Sequence, residues 1–127
     1  MYFDHAGIAT EDADALASLY ADLFNTRVAH EEQFGDLRVV FLPFGESYFE
    51  LLEPTDGGTV QRYLDDNGPG IHHLALGTDD IEASLARAKT SGAELIDEEP
   101  RPGAWGHDVA FLHPKSTGGI LIEFVEH

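Results

Sequence analysis

The 127-residue chain contains no cysteine and only seven lysine and arginine residues. The absence of cysteine excludes disulfide bonds and thiolate metal ligands. Long apolar runs are also missing, and none approaches the roughly 20 residues of a membrane span. The first residues, Met-Tyr-Phe-Asp-His, lack the basic and apolar regions of a secretory signal peptide. We therefore expect one compact domain of the cytoplasm.

Basic residues are so few that acidic ones dominate the charge. The chain has 24 Asp and Glu residues and a formal net charge of −17, so it should repel nucleic acid and anionic membranes. The acids are scattered along the chain, which favours a solvated acidic shell over a patch for a cationic partner. Such a shell is typical of halophilic proteins, because concentrated salt screens the repulsion. We expect neither a nucleic-acid nor a membrane partner.

What the chain does have is an internal repeat. The stretch Asp-His-Ala-Gly-Ile-Ala-Thr-Glu-Asp at residues 4–12 returns in outline as His-His-Leu-Ala-Leu-Gly-Thr-Asp-Asp at residues 72–80. Residues 39–42 likewise align with residues 109–112, and residues 49–53 with residues 122–126. Two similar halves are the signature of a duplicated module. We define module 1 as residues 1–54, module 2 as residues 70–127, and the linker as residues 55–69.

Both modules predict the same order of elements. A short strand ends at a Thr followed by two acids, which predicts a helix capped by that Thr. Three strands should follow each helix, near 27–33, 37–43 and 47–53 in module 1 and near 94–97, 107–113 and 120–126 in module 2. Gly92 is the expected helix C-cap, and the linker has a possible short helix near 60–65. The fold class is α+β, with two tandem βαβββ modules forming an open, barrel-like cleft.

The repeat also supplies one His and one Glu to each module, at matching places: His5 and Glu50, then His73 and Glu123. A carboxylate inside an apolar strand costs several kcal/mol unless it is compensated. Taken singly, such a His is typical of a satisfied core residue and such a Glu of a solvent-facing one. Their joint recurrence favours one divalent metal ion, and two imidazoles with two carboxylates suit Mn, Co, Ni, Zn or Fe. Strand alternation turns His72 away from His73.

These stretches resemble the vicinal oxygen chelate superfamily and, within it, the methylmalonyl-CoA epimerase family. The resemblance covers essentially the whole chain. Its most specific blocks are Gly-Ile-His-His at residues 70–73, Glu-Leu-Leu-Glu-Pro at residues 50–54 and Phe-Leu-His-Pro-Lys at residues 111–115. The resemblance implies a glyoxalase-like fold and an isomerase that interconverts the two epimers of methylmalonyl-CoA through an enolate. It also implies a bound metal such as Co, Mn, Zn or Ni and an acyl-CoA substrate.

The resemblance further implies roles for single residues. Glu123 matches a family position that is both metal ligand and catalytic base. Val39 matches a position that carries the other base in some members, and valine cannot move a proton. We therefore assign the second catalytic base to Glu50, a position that holds Glu in glyoxalase I and Gln in some epimerases. The alternatives for this base are His72, Glu32 or a bound water. Arg101 and Lys115 are the candidate cations for the CoA phosphates or the substrate carboxylate.

Three alternatives follow from the same superfamily. Glyoxalase I shares the four ligands and the enolate chemistry but uses a glutathione hemithioacetal. An extradiol dioxygenase would bind Fe with two His and one Glu, and a bleomycin-resistance-type binding protein usually lacks the four ligands. Paired modules of this kind leave sheet edges that a second copy often covers, so we expect a homodimer.

Overall fold

The computed structural model describes all 127 residues. The chain has eight strands and three α-helices, in the order β1 Tyr2–Ala9, α1 Ala13–Phe24, β2 His30–Phe34, β3 Leu37–Phe44, β4 Ser47–Pro54, α2 Thr59–Asn67, β5 Gly70–Gly77, α3 Ile81–Thr90, β6 Arg101–Pro102, β7 Asp108–Leu112 and β8 Ile122–Glu126. Short 3-10 turns at Ala104–Gly106 and Pro114–Ser116 complete the list. None of the helices is long and apolar enough to cross a membrane.

The residues fall into two compact units. The first, here called the N-unit, is His5–His72. The second, here called the C-unit, contains His73–His127 together with Met1–Asp4. Strand β1 therefore contributes residues 2–4 to the C-unit and residues 5–9 to the N-unit.

In the N-unit the strand order is β2-β3-β4-β1. Strands β3 and β4 form an antiparallel hairpin, whose turn places Gly45 at φ +63°, in the left-handed region that glycine tolerates. Strand β1 then runs parallel to β4, which requires the crossover that α1 provides. Helix α1 packs its small residues Ala13 and Ala17 against buried aliphatic side chains of the sheet.

In the C-unit the order is β5-β8-β7-β6, with β5 parallel to β8 and the other pairs antiparallel. Helix α3 is the crossover, and its Ile81 and Leu85 pack on Ala110, Leu112 and Phe124. Helix α3 has Ser91 as its C-cap, one residue before the expected Gly92, which has φ +94° and donates its N–H to the carbonyl of Lys89. The C-unit thus repeats the βαβββ plan of the N-unit, and the predicted α+β class is confirmed. The expected linker helix is α2.

The predicted Thr caps are wrong by two residues. Asp12 caps α1 and Asp80 caps α3, each with the same backbone angles (φ −149°, ψ 93°) and a carboxylate that accepts from the backbone N–H three residues on. Thr10 and Thr78 instead accept from the N–H groups of these aspartates. Thr and Asp are both good N-cap residues. Here the second of the two acids is the N-cap, because its carboxylate reaches an exposed N–H group of the first turn.

The predicted strand at 94–97 is also wrong, since only a bridge between Leu95 and Leu112 forms there. The N–H groups of Ile96 and Asp97 both donate to the carbonyl of Phe111, as in a bulge. The Asp97 carboxylate then accepts from the Phe111 N–H at 2.8 Å. This side chain occupies the donor that a regular ladder needs, so pairing resumes only at β6.

Candidate metal and active site

Strand pairing places the His and Glu of each module in the same local geometry. In the N-unit Glu50 of β4 lies opposite Gly7, two residues after His5. In the C-unit Glu123 of β8 lies opposite Ala75, two residues after His73. An offset of two residues keeps His and Glu on one face of the sheet. The small residue between them leaves room for the two side chains to meet.

The two pairs have equal distances and equal burial. The Nε2–Oε1 separation is 3.2 Å for His5 and Glu50 and 3.2 Å for His73 and Glu123. All four residues are buried, with 4 %, 7 %, 4 % and 6 % of their surface exposed. Each unit thus presents one buried imidazole nitrogen beside one buried carboxylate oxygen.

This donor set fits a divalent metal ion. Ligand bonds of about 2.0–2.2 Å at tetrahedral or octahedral angles separate neighbouring ligand atoms by about 3.0–3.5 Å. The 3.2 Å separations in both units fall within that interval. His5, His73 and Glu123 are buried residues that each offer a ligand atom suited to a metal ion. A resident cation would also offset the cost of burying the carboxylates.

A phenylalanine ring lies beside each of these histidines. Phe41 on β3 meets the His5 ring edge-on, with centroids 5.9 Å apart, and Phe111 on β7 meets the His73 ring at 5.6 Å. The sequence analysis did not single these rings out, although residues 39–42 and 109–112 align in the repeat. Each unit therefore packs an aromatic ring against the imidazole of its candidate ligand histidine.

Arg101 lies next to this cluster in the C-unit. Its guanidinium carbon is 5.3 Å from the centroid of the Phe111 ring, the same ring that contacts His73. The Asp97 carboxylate accepts from its Nε at 3.1 Å. The side chain is half exposed, so the remaining guanidinium donors are available to an anion. The assignment of Arg101 as a substrate-binding residue stays a prediction.

Lys115 has a different setting. It is exposed in the 3-10 turn Pro114–Ser116, and its backbone N–H donates to Nδ1 of His113. This turn gives the ammonium a position on the C-unit surface. Its assignment as a substrate-binding residue stays a prediction.

The sequence analysis missed a second His–Glu pair in the N-unit. Nε2 of His30 and Oε1 of Glu32 are 2.8 Å apart, and Glu32 lies directly opposite Val39. Val39 itself is 1 % exposed. The signal was present, because residues two apart on a strand share a face. It escaped notice because module 2 has no counterpart.

The neighbouring histidines differ as strand alternation predicts. His73 is buried, whereas the His72 ring is half-buried and meets Tyr63 of α2 at 5.2 Å.

Asp4, which aligns with His72 in the repeat, is buried in the C-unit and forms a 2.5 Å hydrogen bond with Nε2 of His127. Partial burial and the Asp4 carboxylate raise the pKa of Tyr2.

Comparisons with known proteins define the family. Residues 4–111 match the model of the glyoxalase/bleomycin resistance protein/dioxygenase superfamily. The chain belongs to this superfamily. An ethylmalonyl-CoA/methylmalonyl-CoA epimerase of Cereibacter sphaeroides is 34% identical, over 94% of this chain and 93% of the relative.

Solved structures of this superfamily have the same fold. A Streptomyces coelicolor methylmalonyl-CoA epimerase in complex with 2-nitronate-propionyl-CoA is 37% identical, with a TM-score of 0.94 over 99% of this chain and 94% of the other. A methylmalonyl-CoA epimerase in complex with methylmalonyl-CoA and NH4+ is also 37% identical, with a TM-score of 0.93 over 98% and 93%. The resemblance inferred from the sequence is therefore confirmed.

Proposed function

We propose that this protein is an isomerase that interconverts the two epimers of methylmalonyl-CoA. The observation that carries the proposal is the repeated buried His–Glu pair, at 3.2 Å in both units of a chain from this superfamily. The epimerase relatives, at 34–37% identity over nearly the whole chain, supply the substrate class. The acyl-CoA is the expected small-molecule partner.

In this proposal His5, Glu50, His73 and Glu123 together hold one divalent metal ion. The donor set of two imidazoles and two carboxylates supports Co, Mn, Zn or Ni. When bound, such an ion supplies Lewis-acid stabilisation of the negative charge that develops on the substrate's oxygens.

The carboxylates of Glu123 and Glu50 are the proposed bases, one for each face of the α-carbon. One carboxylate accepts the α-proton, the C–H bond breaks, and its electron pair becomes delocalised as the thioester enolate. The other group, in its acid form, donates a proton to the opposite face and forms the new C–H bond. A nitronate, the group named in one related complex, is a planar delocalised anion like an enolate, which supports this route.

Arg101 is the proposed contact for an anionic group of the acyl-CoA. Its guanidinium lies over the Phe111 ring and donates one hydrogen bond to Asp97, and a guanidinium suits bidentate recognition of a carboxylate or phosphate. Lys115 is the second proposed cation, acting as a point charge at the surface of the same unit.

The test is incubation of one methylmalonyl-CoA epimer with the protein in deuterated water, followed by NMR. We expect formation of the other epimer with deuterium at the α-carbon. Chelation and dialysis should abolish this activity, and added Co²⁺ or Mn²⁺ should restore it. Turnover of a glutathione hemithioacetal without reaction of methylmalonyl-CoA would instead identify a glyoxalase I.

A further inference from the structure

A two-base epimerisation leaves its bases in the wrong protonation states. After one turnover the first carboxylate has gained a proton and the second has lost one, so both must exchange with solvent before the same reaction can repeat. Glu50 is 7 % exposed. A group that connects this buried face with water would therefore support turnover.

The ladder of the N-unit identifies the side chains on the face of Glu50. Residues directly opposite each other in a sheet share a face, and His30 lies opposite Phe41, which lies opposite Glu50. Apart from His5 and Glu50, the ionisable side chains of β1 to β4 on this face are Tyr48, His30 and Glu32. Of these, His30 and Glu32 lie together on the edge strand β2.

His30 and Glu32 lie on the edge strand of this face and are more exposed than Glu50. They are 2.8 Å apart, and their side chains are 29 % and 27 % exposed. The His30 ring is 6.2 Å from the Phe41 ring, which in turn is 5.9 Å from His5. Two strand spacings separate His30 from Glu50, about 10 Å between backbones. Direct proton transfer over this distance is not possible, so any route between the pair and Glu50 has to include water molecules.

The equivalent place in the C-unit has the opposite character. Arg101 lies opposite Val109, as Glu32 lies opposite Val39. A guanidinium remains protonated at all relevant pH values and cannot pass a proton on. The His–Glu pair is therefore a feature of one module and not a by-product of the duplication.

We propose that the His30–Glu32 pair is the proton exit of the N-unit. It accepts the proton that the reaction leaves on this face of the sheet and releases it to solvent, and it returns a proton when the reaction runs in reverse. The proposal rests on the epimerase function proposed above. Glu32 is the proton acceptor, and His30 holds its carboxylate and shares the proton.

The test compares Glu32→Gln and His30→Asn with the wild-type protein, with Glu31→Gln as a matched control. Glu31 is the neighbouring residue on the opposite face, exposed and paired with Arg38. We expect kcat to fall roughly 10–100-fold in the first two variants, below the usual 10²–10⁴-fold contribution of a base that acts on the substrate itself. KM, metal content and the urea midpoint should stay unchanged in all three.

Buffer dependence separates proton exit from a structural role. At constant pH and ionic strength, rising concentrations of imidazole should restore kcat in Glu32→Gln and leave the wild type unaffected, with metal content measured at each concentration. Unchanged kcat in both variants overturns the proposal, as does a loss that no buffer restores. A wild-type protein that does not epimerise methylmalonyl-CoA overturns the proposed function and this inference together, whereas an active wild type with an equally active Glu32→Gln overturns the inference alone.

Discussion

The two units agree closely where β1, β4, β5 and β8 present the His–Glu pairs, and they diverge along β2 and β6. Both units also share a second contact, made by the carboxylate three residues after Glu50 or Glu123. Glu53 accepts from the N–H of Ala13 at the start of α1, and Glu126 accepts from the N–H of Ile81 at the start of α3, both at 2.8 Å. Strand β2 has five residues, whereas β6 has two. His30 and Glu32 lie on the first, and Arg101 on the second.

The strands that agree carry the His–Glu pairs, which the proposed reaction uses in both units. The strands that differ carry residues that it would use in one unit only. In the proposed function each unit supplies the same two ligand types, one His and one Glu, so the duplicated positions keep the same chemistry. An acyl-CoA has no such symmetry, because its phosphates lie to one side of the reacting carbon. The edge strands are not needed for the crossover connection, and they carry the residues proposed for a single unit: the His30–Glu32 pair on β2 and Arg101 on β6.

The largest expected effect breaks the equivalence of the ligand histidines. We expect His5→Ala and His73→Ala each to lose bound metal after dialysis, since each removes one of four ligands. His72→Ala is the matched control, and we expect it to keep most of its metal, with at most about a 10–100-fold loss of affinity. Elemental analysis and metal titration measure this. Equal losses from His72→Ala and His73→Ala would contradict the assignment.

The next effect concerns the paired carboxylates. Glu50→Gln should retain a metal ion, because an amide oxygen still coordinates, yet epimerisation should fall by roughly 10²–10⁴-fold. NMR in deuterated water should show exchange persisting for one epimer and nearly vanishing for the other. Glu123→Gln should show the reverse preference. Full activity in Glu50→Gln would rule out Glu50 as a base.

A smaller effect tests the cationic side. Arg101→Met should raise KM for the acyl-CoA roughly tenfold or more with little change in kcat, because a charge-assisted contact contributes about 1.5–3 kcal/mol. Lys115→Met should raise KM less, since an exposed ammonium is more strongly screened. Lys89→Met on the exposed face of α3 is the charge-matched control. Steady-state kinetics that rank Lys115 above Arg101 would reverse these two roles.

The smallest expected effect tests whether the equivalent helix caps of the two units contribute equally to the free energy of unfolding. Asp12→Ala and Asp80→Ala each remove an identical helix cap and should each lower the free energy of unfolding by about 0.5–2 kcal/mol. Urea unfolding of the two variants should give similar losses, and Glu11→Ala and Asp79→Ala should change it little. A large difference between the two caps would show that one helix is held mainly by packing.

The sequence predicted those features that the duplication states twice. The pairing of His5 with Glu50 and of His73 with Glu123 was accessible because each assignment was checked by its counterpart. The absence of a regular strand at 94–97 could not be predicted from the sequence, because it depends on where the Asp97 side chain points. Glu53 and Glu126 were within reach, since each follows a ligand Glu by three residues. The His30–Glu32 pair occurs once, and only the register with β3 gave it meaning.

The membership of Met1–Asp4 in the C-unit has a consequence for folding. The hydrogen bond between Asp4 and His127 joins residues 123 positions apart, and a Cβ at Gly77 would overlap the ring of Tyr2 that covers it. Contacts of such long range are slow to form, because the closing of a long loop must precede them. During synthesis, strands β1 to β4 can pair within the N-unit early, whereas Asp4 has to wait for His127. The C-unit is therefore expected to fold last, and Gly77→Val should slow that final phase more than it slows the first.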